Sequence, residues 1–264
     1  MADLKRLNEK EFNDVISTLP YRKEIMIKDY YITVILYLLK DLAGICFKGG
    51  TALQKMFLNY SRMSEDIDFT VTGDLEVVRK AVVNHIKSCE IYARISVDKD
   101  VDGFTRLVIA YKGFDGREGP VLIDLNKRAK VILRPVSYQV RHFYQGFIPE
   151  FAMKSLSRDE MVAEKVAAAI GRNRPRDHYD LYRIAKQGIP IDMGLARRKC
   201  IESGVEFDII KMFNNARKLK NRWDTDLQPL ITEQVSFQEV MRFLSGYFKL
   251  SMEKAKRILP SNLP

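Results

Sequence analysis

The sequence predicts an α/β (α+β) chain in two parts, a domain over residues 1–155 that mixes strands with helices and a helical domain over residues 156–264. Three observations predict this division. An apolar run, a Gly-Gly turn and a helix-like segment follow one another between Ile45 and Leu58, and period-two alternation returns in several later runs. Beyond Pro175 the pattern becomes helical nearly throughout. A length of 264 residues, against a loose prior of about 150 per domain, leaves enough chain for a full core.

The first helix is expected from Lys23 to Ala43, where Ile25, Met26, Ile32, Ile35, Leu38, Leu39 and Leu42 recur at helical spacing. Its apolar stretch from Tyr30 to Leu39 is bounded by charges and too short to span a bilayer, so it reads as a buried helix. Ile45-Cys46-Phe47 then reads as a strand, Lys48-Gly49-Gly50 as a turn, and Thr51 to Leu58 as a helix with Thr51 in the N-cap position. Asp66 to Val71 alternates with period two, which puts Asp66 and Asp68 on one strand face. The turn Thr72-Gly73-Asp74 opens a helix through about Ser88.

Three β-rich runs follow, Ile91 to Asp98, Phe104 to Tyr111 and Val121 to Leu125, separated by Asp102-Gly103 and by the cluster Gly113 to Pro120. They predict a meander. From Asn126 to Pro149 the chain is basic and free of acids. Ser157 opens a helix to about Ile170 and pairs with Glu160 in a capping-box pattern. Further helices are expected over Asp177 to Lys186, Met193 to Cys200, Phe207 to Lys218 and Val235 to Arg257.

Forty-four Lys plus Arg against 34 Asp plus Glu give a net charge of +10, which favours a polyanionic partner such as RNA or nucleotide phosphates. Cys46, Cys89 and Cys200 form no C-x-x-C pair, so neither a disulfide framework nor a cysteine zinc site is expected, and a reducing compartment fits. The start, Met1 to Arg6, is charged and leads into no apolar signal region. A cytoplasmic protein without a membrane partner is therefore expected, and the sequon Asn59-Tyr60-Ser61 reads as chance. His85, His142 and His178 are too dispersed for a zinc site, and there is no P-loop or dinucleotide-binding glycine motif.

What remains is composite: Lys48-Gly49-Gly50-Thr51, then Ser64-Glu65-Asp66-Ile67-Asp68, then Asp124 inside a β run. Two carboxylates two residues apart on a strand project together and can hold divalent cations, Mg2+ or Mn2+, with Asp124 from another strand as a third ligand. Two such ions would activate an attacking hydroxyl and stabilise departing pyrophosphate. Gly49 and Gly50 let backbone N–H groups approach a triphosphate at a helix N-terminus, Ser64 adds a hydroxyl donor, and Lys48 stands close enough in sequence to contact phosphate or to pair with Asp66. Arg172, Arg174 and Arg176 read either as a solvated basic junction or as holders of triphosphate or RNA backbone. The stretch around Tyr138, Arg141, His142, Phe143 and Tyr144 reads either as a basic loop over the core or as a single-stranded RNA contact built on charge and stacking.

These motifs resemble the DNA-polymerase-β-like nucleotidyltransferases and, within them, the AbiEii and MenT type of toxin-antitoxin and phage-defence proteins. The resemblance rests on Gly49-Gly50 followed by Ser64-x-Asp66-x-Asp68, on the helix around Lys165, and on Arg176-Asp177-His178-Tyr179-Asp180-Leu181-Tyr182, similar to the family's R-D-x-x-D-L-Y signature. It implies a mixed sheet in the first domain and a helical second domain that contributes Lys165 and Asp180 to an interdomain cleft. It further implies that Lys165 meets the nucleotide phosphates and that Asp180 is the active-site carboxylate; Asp177 is read as a candidate helix cap, and Arg176 as the arginine of the basic run placed among the nucleotide contacts. The implied activity is transfer of a nucleoside monophosphate from an NTP to the 3′ end of tRNA, by a toxin opposed by a separate antitoxin. Two other readings stay open: an enzyme that nucleotidylates a protein hydroxyl, and a nucleotide- or RNA-binding regulator without turnover.

Overall fold

The computed structural model describes residues 4–5, 7–114 and 116–258, with backbone alone at 257 and 258, so part of the charged start read from Met1 to Arg6 lies outside the described residues. The chain divides into two compact units, Met1–Arg158 and Asp159–Pro264.

The first unit is built on a seven-stranded sheet. In chain order its elements are α1 (Glu9–Ile16), α2 (Lys23–Leu39), β1 (Ile45–Lys48), α3 (Gly49–Met56), β2 (Asp66–Val71), α4 (Leu75–Lys87), β3 (Tyr92–Val101), β4 (Phe104–Lys112), β5 (Glu118–Asn126), β6 (Val136–Gln139) and β7 (Ala152–Ser155). The strand order is β3-β4-β5-β2-β1-β7-β6. The expected meander β3–β4–β5 is antiparallel, β5 lies parallel to β2, β2 antiparallel to β1, β1 parallel to β7, and β7 antiparallel to β6. The sheet is thus mixed.

The pleat separates two faces. Phe47, Ile67, Phe69, Leu107, Ile109, Ile123 and Leu125 are buried on one, while Lys48, Asp66, Asp68, Arg106 and Asp124 alternate with them on the other. Helix α2 is apolar nearly all round, and Met26, Ile32, Val34, Ile35, Leu36 and Leu39 are fully enclosed, as expected of a core helix. One ion pair is buried beside it: Lys55 Nζ donates to Asp29 Oδ1 at 2.7 Å, to Thr33 Oγ1 at 2.9 Å and to the Tyr60 hydroxyl at 2.9 Å. This network ties α3, which carries the Gly-Gly turn, to α2.

The second unit is helical, with α5 (Arg158–Gly171) starting at the unit boundary, then α6 (Pro175–Lys186), α7 (Met193–Glu202), a 3-10 turn (Ile209–Phe213), α8 (Ala216–Asp226), a 3-10 turn (Gln228–Leu230), α9 (Phe237–Tyr247) and α10 (Leu250–Ile258). Among the described residues no helix is long and apolar enough to cross a membrane. Cys46, Cys89 and Cys200 make no disulfide.

Several local expectations are corrected. Helix α3 begins at Gly49 with Lys48 as N-cap, because the Thr51 hydroxyl is taken by the Asp66 carbonyl. The helix expected over Phe207 to Lys218 is a 3-10 turn and the start of α8, separated at Asn214 and Asn215. The long helix expected from Val235 breaks between α9 and α10, where Lys249 adopts φ +50°. The acid-free stretch contains β6 and then turns into the core: Tyr144 is fully buried, its hydroxyl donating to the Met26 carbonyl at 3.0 Å, and His142 is buried too. Neither ring is available to stack on a base.

Candidate active site

Strand register assembles the first unit's candidates. The antiparallel pairing of β1 with β2 sets Lys48 opposite Asp68, the parallel pairing of β2 with β5 sets Asp68 beside Asp124, and β4 sets Arg106 opposite Asp124. A row of charged side chains therefore crosses four adjacent strands on the polar face. Asp66, one pleat from Asp68, shares that face.

The Gly-Gly turn closes over this row. Gly49 adopts φ +80°, and a Cβ added there would lie 2.1 Å from Asp68 Oδ2. A Cβ on Gly50 would lie 2.8 Å from Arg62 Nη2 and 3.1 Å from Ser64 Oγ. Only glycine at both positions lets the Asp68 carboxylate, the Ser64 hydroxyl and the Arg62 guanidinium come this near the backbone that opens α3. Lys48 provides no capping side chain to that first turn, so the helix presents its positive end there. Arg62 is buried and donates from Nη1 to the Met63 carbonyl at 2.8 Å.

The structure thus brings together Lys48, Gly49, Gly50, Ser64, Asp66, Asp68 and Asp124. It also adds Arg106, which sequence reasoning missed. Arg106 grips Asp124 through two parallel bonds, Nε to Oδ1 at 2.6 Å and Nη2 to Oδ2 at 2.7 Å. The hydrogen bonds to Asp124 raise the guanidinium above its ordinary range, against a smaller opposing effect of burial. An arginine in an alternating strand gives no sequence signal of this kind, because the pairing depends on the β4–β5 register.

Asp66 and Asp68 fit a divalent cation by their chemistry: both are hard oxygen donors on one strand face, and Asp68 Oδ2 packs against Gly49 where α3 begins. Asp124 fits less well, since each of its carboxylate oxygens accepts a bond from Arg106. Among the described residues no group of three or more His, Cys, Asp or Glu side chains is arranged to hold a metal ion.

The second unit gathers its own charged cluster. Lys165 Nζ lies 2.9 Å from Asp180 Oδ2 and 3.2 Å from Asp177 Oδ1, with all three side chains buried. Arg172 adds a second cation to Asp177, Nε to Oδ2 and Nη2 to Oδ1, both at 2.8 Å. Burial opposes ionisation of Asp177, but Lys165 and Arg172 outweigh it and hold the carboxyl far below the usual range. Asp177 is therefore an ion-pair partner, and the N-cap of α6 is Arg174. Lys165 stands between two aspartates rather than on a surface. Arg176 Nε donates to the Asp226 carbonyl at 3.0 Å.

The family model described as "Nucleotidyl transferase AbiEii toxin, Type IV TA system" matches residues 40–243. Solved structures of similar fold include JHP933 and MenT4. JHP933 from Helicobacter pylori aligns at a TM-score of 0.63 with 19% identity, covering 90% of this chain and 95% of that one. MenT4, a nucleotidyltransferase toxin from Mycobacterium tuberculosis H37Rv, aligns at 0.59 with 22% identity, covering 74% of this chain and 70% of that one. No curated protein matches the sequence.

Proposed function

Because this chain belongs to the AbiEii nucleotidyl transferase toxin family of type IV toxin-antitoxin systems, we propose that it moves a nucleoside monophosphate from an NTP to the 3′ end of tRNA. It is a nucleotidyltransferase; the acceptor and the metal are the finer reading. The observation that carries that reading is the Asp68 carboxylate packed against Gly49 at the start of α3.

Asp66 and Asp68 would hold a divalent cation, Mg2+ or Mn2+. When bound, such an ion polarises the α-phosphate and lowers the charge on the departing pyrophosphate. The chain's own residues do the rest. Gly49 and Gly50 admit the triphosphate to the amides at the N-terminus of α3, where the helix dipole favours anions. Ser64 offers a hydroxyl donor beside Gly50, and Lys48, opposite Asp68, adds a fixed positive charge. The acceptor hydroxyl oxygen then bonds to the α-phosphorus and gives up its proton to solvent, while the bond from that phosphorus to the oxygen bridging the α- and β-phosphates breaks and pyrophosphate leaves. In the same proposal Lys165 supplies a positive charge for phosphate, Asp180 fixes its position through the 2.9 Å pair, and Arg176 is among the nucleotide contacts.

The net charge of +10 favours an RNA acceptor, although the burial of His142 and Tyr144 removes two of the rings that stacking would use. A separate antitoxin, a role in phage defence and a cytoplasmic location belong to the same reading. The test is incubation with Mg2+, each α-labelled NTP in turn, and total tRNA or no RNA, with labelled RNA then separated from labelled protein. Label on tRNA supports the proposal. Label confined to protein would replace the acceptor with a Ser, Thr or Tyr hydroxyl, and NTP binding without label would make the protein a regulator.

A further inference from the structure

The second unit carries a charged surface that the proposed chemistry leaves unused. Helix α8 buries Leu219 and Trp223, one turn apart, and faces outward along its other side. There Asn214, Asn215, Arg217, Lys218, Asn221 and Arg222 line a concave patch of about 380 Å3 with three cations, three amides and no acid. Arg222 is paired with Asp226 at 2.5 Å, whereas Arg217, Lys218 and Lys220 are exposed and make no ion pair among the described residues. At Asn221 the patch continues into a second hollow, which adds Lys220, Gln228, Gln234 and Gln238 and a single acid, Asp224.

The helix itself gains nothing from this distribution. Arg217 and Lys218 stand in the first turn of α8 and Asp224 and Asp226 in its last, the reverse of what the helix dipole favours. In α4 and α6 the order is the favourable one, with Glu76 and Asp177 in the first turns and Lys87 and Lys186 in the last. The cations of α8 therefore lower the stability of their own helix. Lysine, arginine and side-chain amides are also the donors that contact the phosphate and sugar oxygens of nucleic acid. Rings free to stack on unpaired bases are lacking: Trp223 and Phe237, at the second hollow, pack edge-on against each other, and Trp223 Nε1 donates to the Val235 carbonyl at 3.1 Å. An RNA helix, recognised by its shape and its phosphates rather than by stacking, fits such a surface.

We propose that the face of α8 formed by Arg217, Lys218, Lys220 and Asn221 binds the phosphate backbone of double-stranded RNA without regard to sequence. This rests on the proposed RNA acceptor and adds the surface that holds its paired region.

The test is fluorescence anisotropy of the full chain with a labelled blunt RNA duplex, with one of its strands alone and with labelled polyglutamate, over a range of salt. Wild type is expected to bind the duplex more tightly than either other probe, with log affinity falling linearly in log salt. Arg217→Gln/Lys218→Gln/Lys220→Gln is expected to lose roughly tenfold or more in duplex affinity and to reduce the salt slope by about 2–3. Lys10→Gln/Lys87→Gln/Lys112→Gln removes as many exposed charges from the first unit and is expected to stay within about threefold of wild type. Arg217→Glu/Lys218→Glu guards against a folding defect: it restores the favourable helix order, so it should melt no lower than wild type while losing duplex affinity. Equal duplex affinity in wild type and the α8 variants, an equal loss in the first-unit variant, or a single strand bound as tightly as the duplex would overturn the inference. So would polyglutamate bound in place of the duplex, which would make the surface a dock for an acidic protein. Each of these outcomes leaves the transfer reading standing if tRNA is still labelled from an α-labelled NTP. Wild type that neither binds duplex nor labels tRNA would overturn both.

Discussion

The substitution Gly49→Ala tests how this site is built, because its effect separates into two parts. The first is backbone: at φ +80° an L side chain costs about 1–2 kcal/mol relative to glycine. At roughly 2–4 °C per kcal/mol for a unit of this size, that lowers the melting temperature by about 2–8 °C. The second is contact. The new methyl carbon would lie 2.1 Å from Asp68 Oδ2, 2.7 Å from its Cγ and 2.9 Å from its Cβ, so the carboxylate must leave its place. The assay is a double-mutant cycle: calorimetric melting and nucleotidyl transfer for wild type, Gly49→Ala, Asp68→Ala and the pair. Gly49→Ala should abolish transfer as fully as Asp68→Ala does. It should also cost more stability with Asp68 present than in the Asp68→Ala background, where only the backbone part remains. Wild-type transfer by Gly49→Ala, or the same stability cost in both backgrounds, would refute the reasoning.

Other predictions follow from the buried charges. Lys55→Met leaves Asp29 uncompensated in the core of the first unit, so urea unfolding should show a loss of about 3–5 kcal/mol, and Lys55→Met/Asp29→Leu should regain most of it; a single-variant loss below about 1 kcal/mol would contradict the pairing. Asp177 titrates lower in the fold than in the unfolded chain, where its pKa is about 3.9. Its contribution is therefore complete above about pH 5, and it is lost as pH falls toward the folded value. Urea midpoints of Asp177→Asn should accordingly depend less on pH below about 4 than those of wild type, and an unchanged acid slope would count against the pair with Lys165 and Arg172.

Much of the fold was legible because its strongest signals were local. Asp66 to Val71 is a strand over the expected residues, since Ile67, Phe69 and Val71 alternate with polar side chains, and the three later runs form the antiparallel meander that their turns implied. Strands β6 and β7 were missed because each is four residues long and reaches the sheet only through pairing, β7 with β1 in parallel and β6 with β7. The same limit governs the site. Gly49, Gly50, Asp66 and Asp68 stand out by spacing, whereas Arg106 acquires meaning only when β4 meets β5. Asp29 and Lys55 carry no signal of a pair in the sequence, because only the packing of α3 on α2 buries them together. Asp177 invited a capping role by its place in the first turn, but contacts with Arg172 and Lys165 from the preceding helix and its end decide its state.

The central claim, that Asp66 and Asp68 support nucleotidyl transfer, is tested most directly by measuring pyrophosphate release against label transferred from an α-labelled NTP in Mg2+. Wild type and Asp66→Ala would be compared, with melting curves as a check on folding. One pyrophosphate per nucleotide transferred by wild type, and neither product from a folded Asp66→Ala, is the predicted result. Undiminished release and transfer by Asp66→Ala would contradict it.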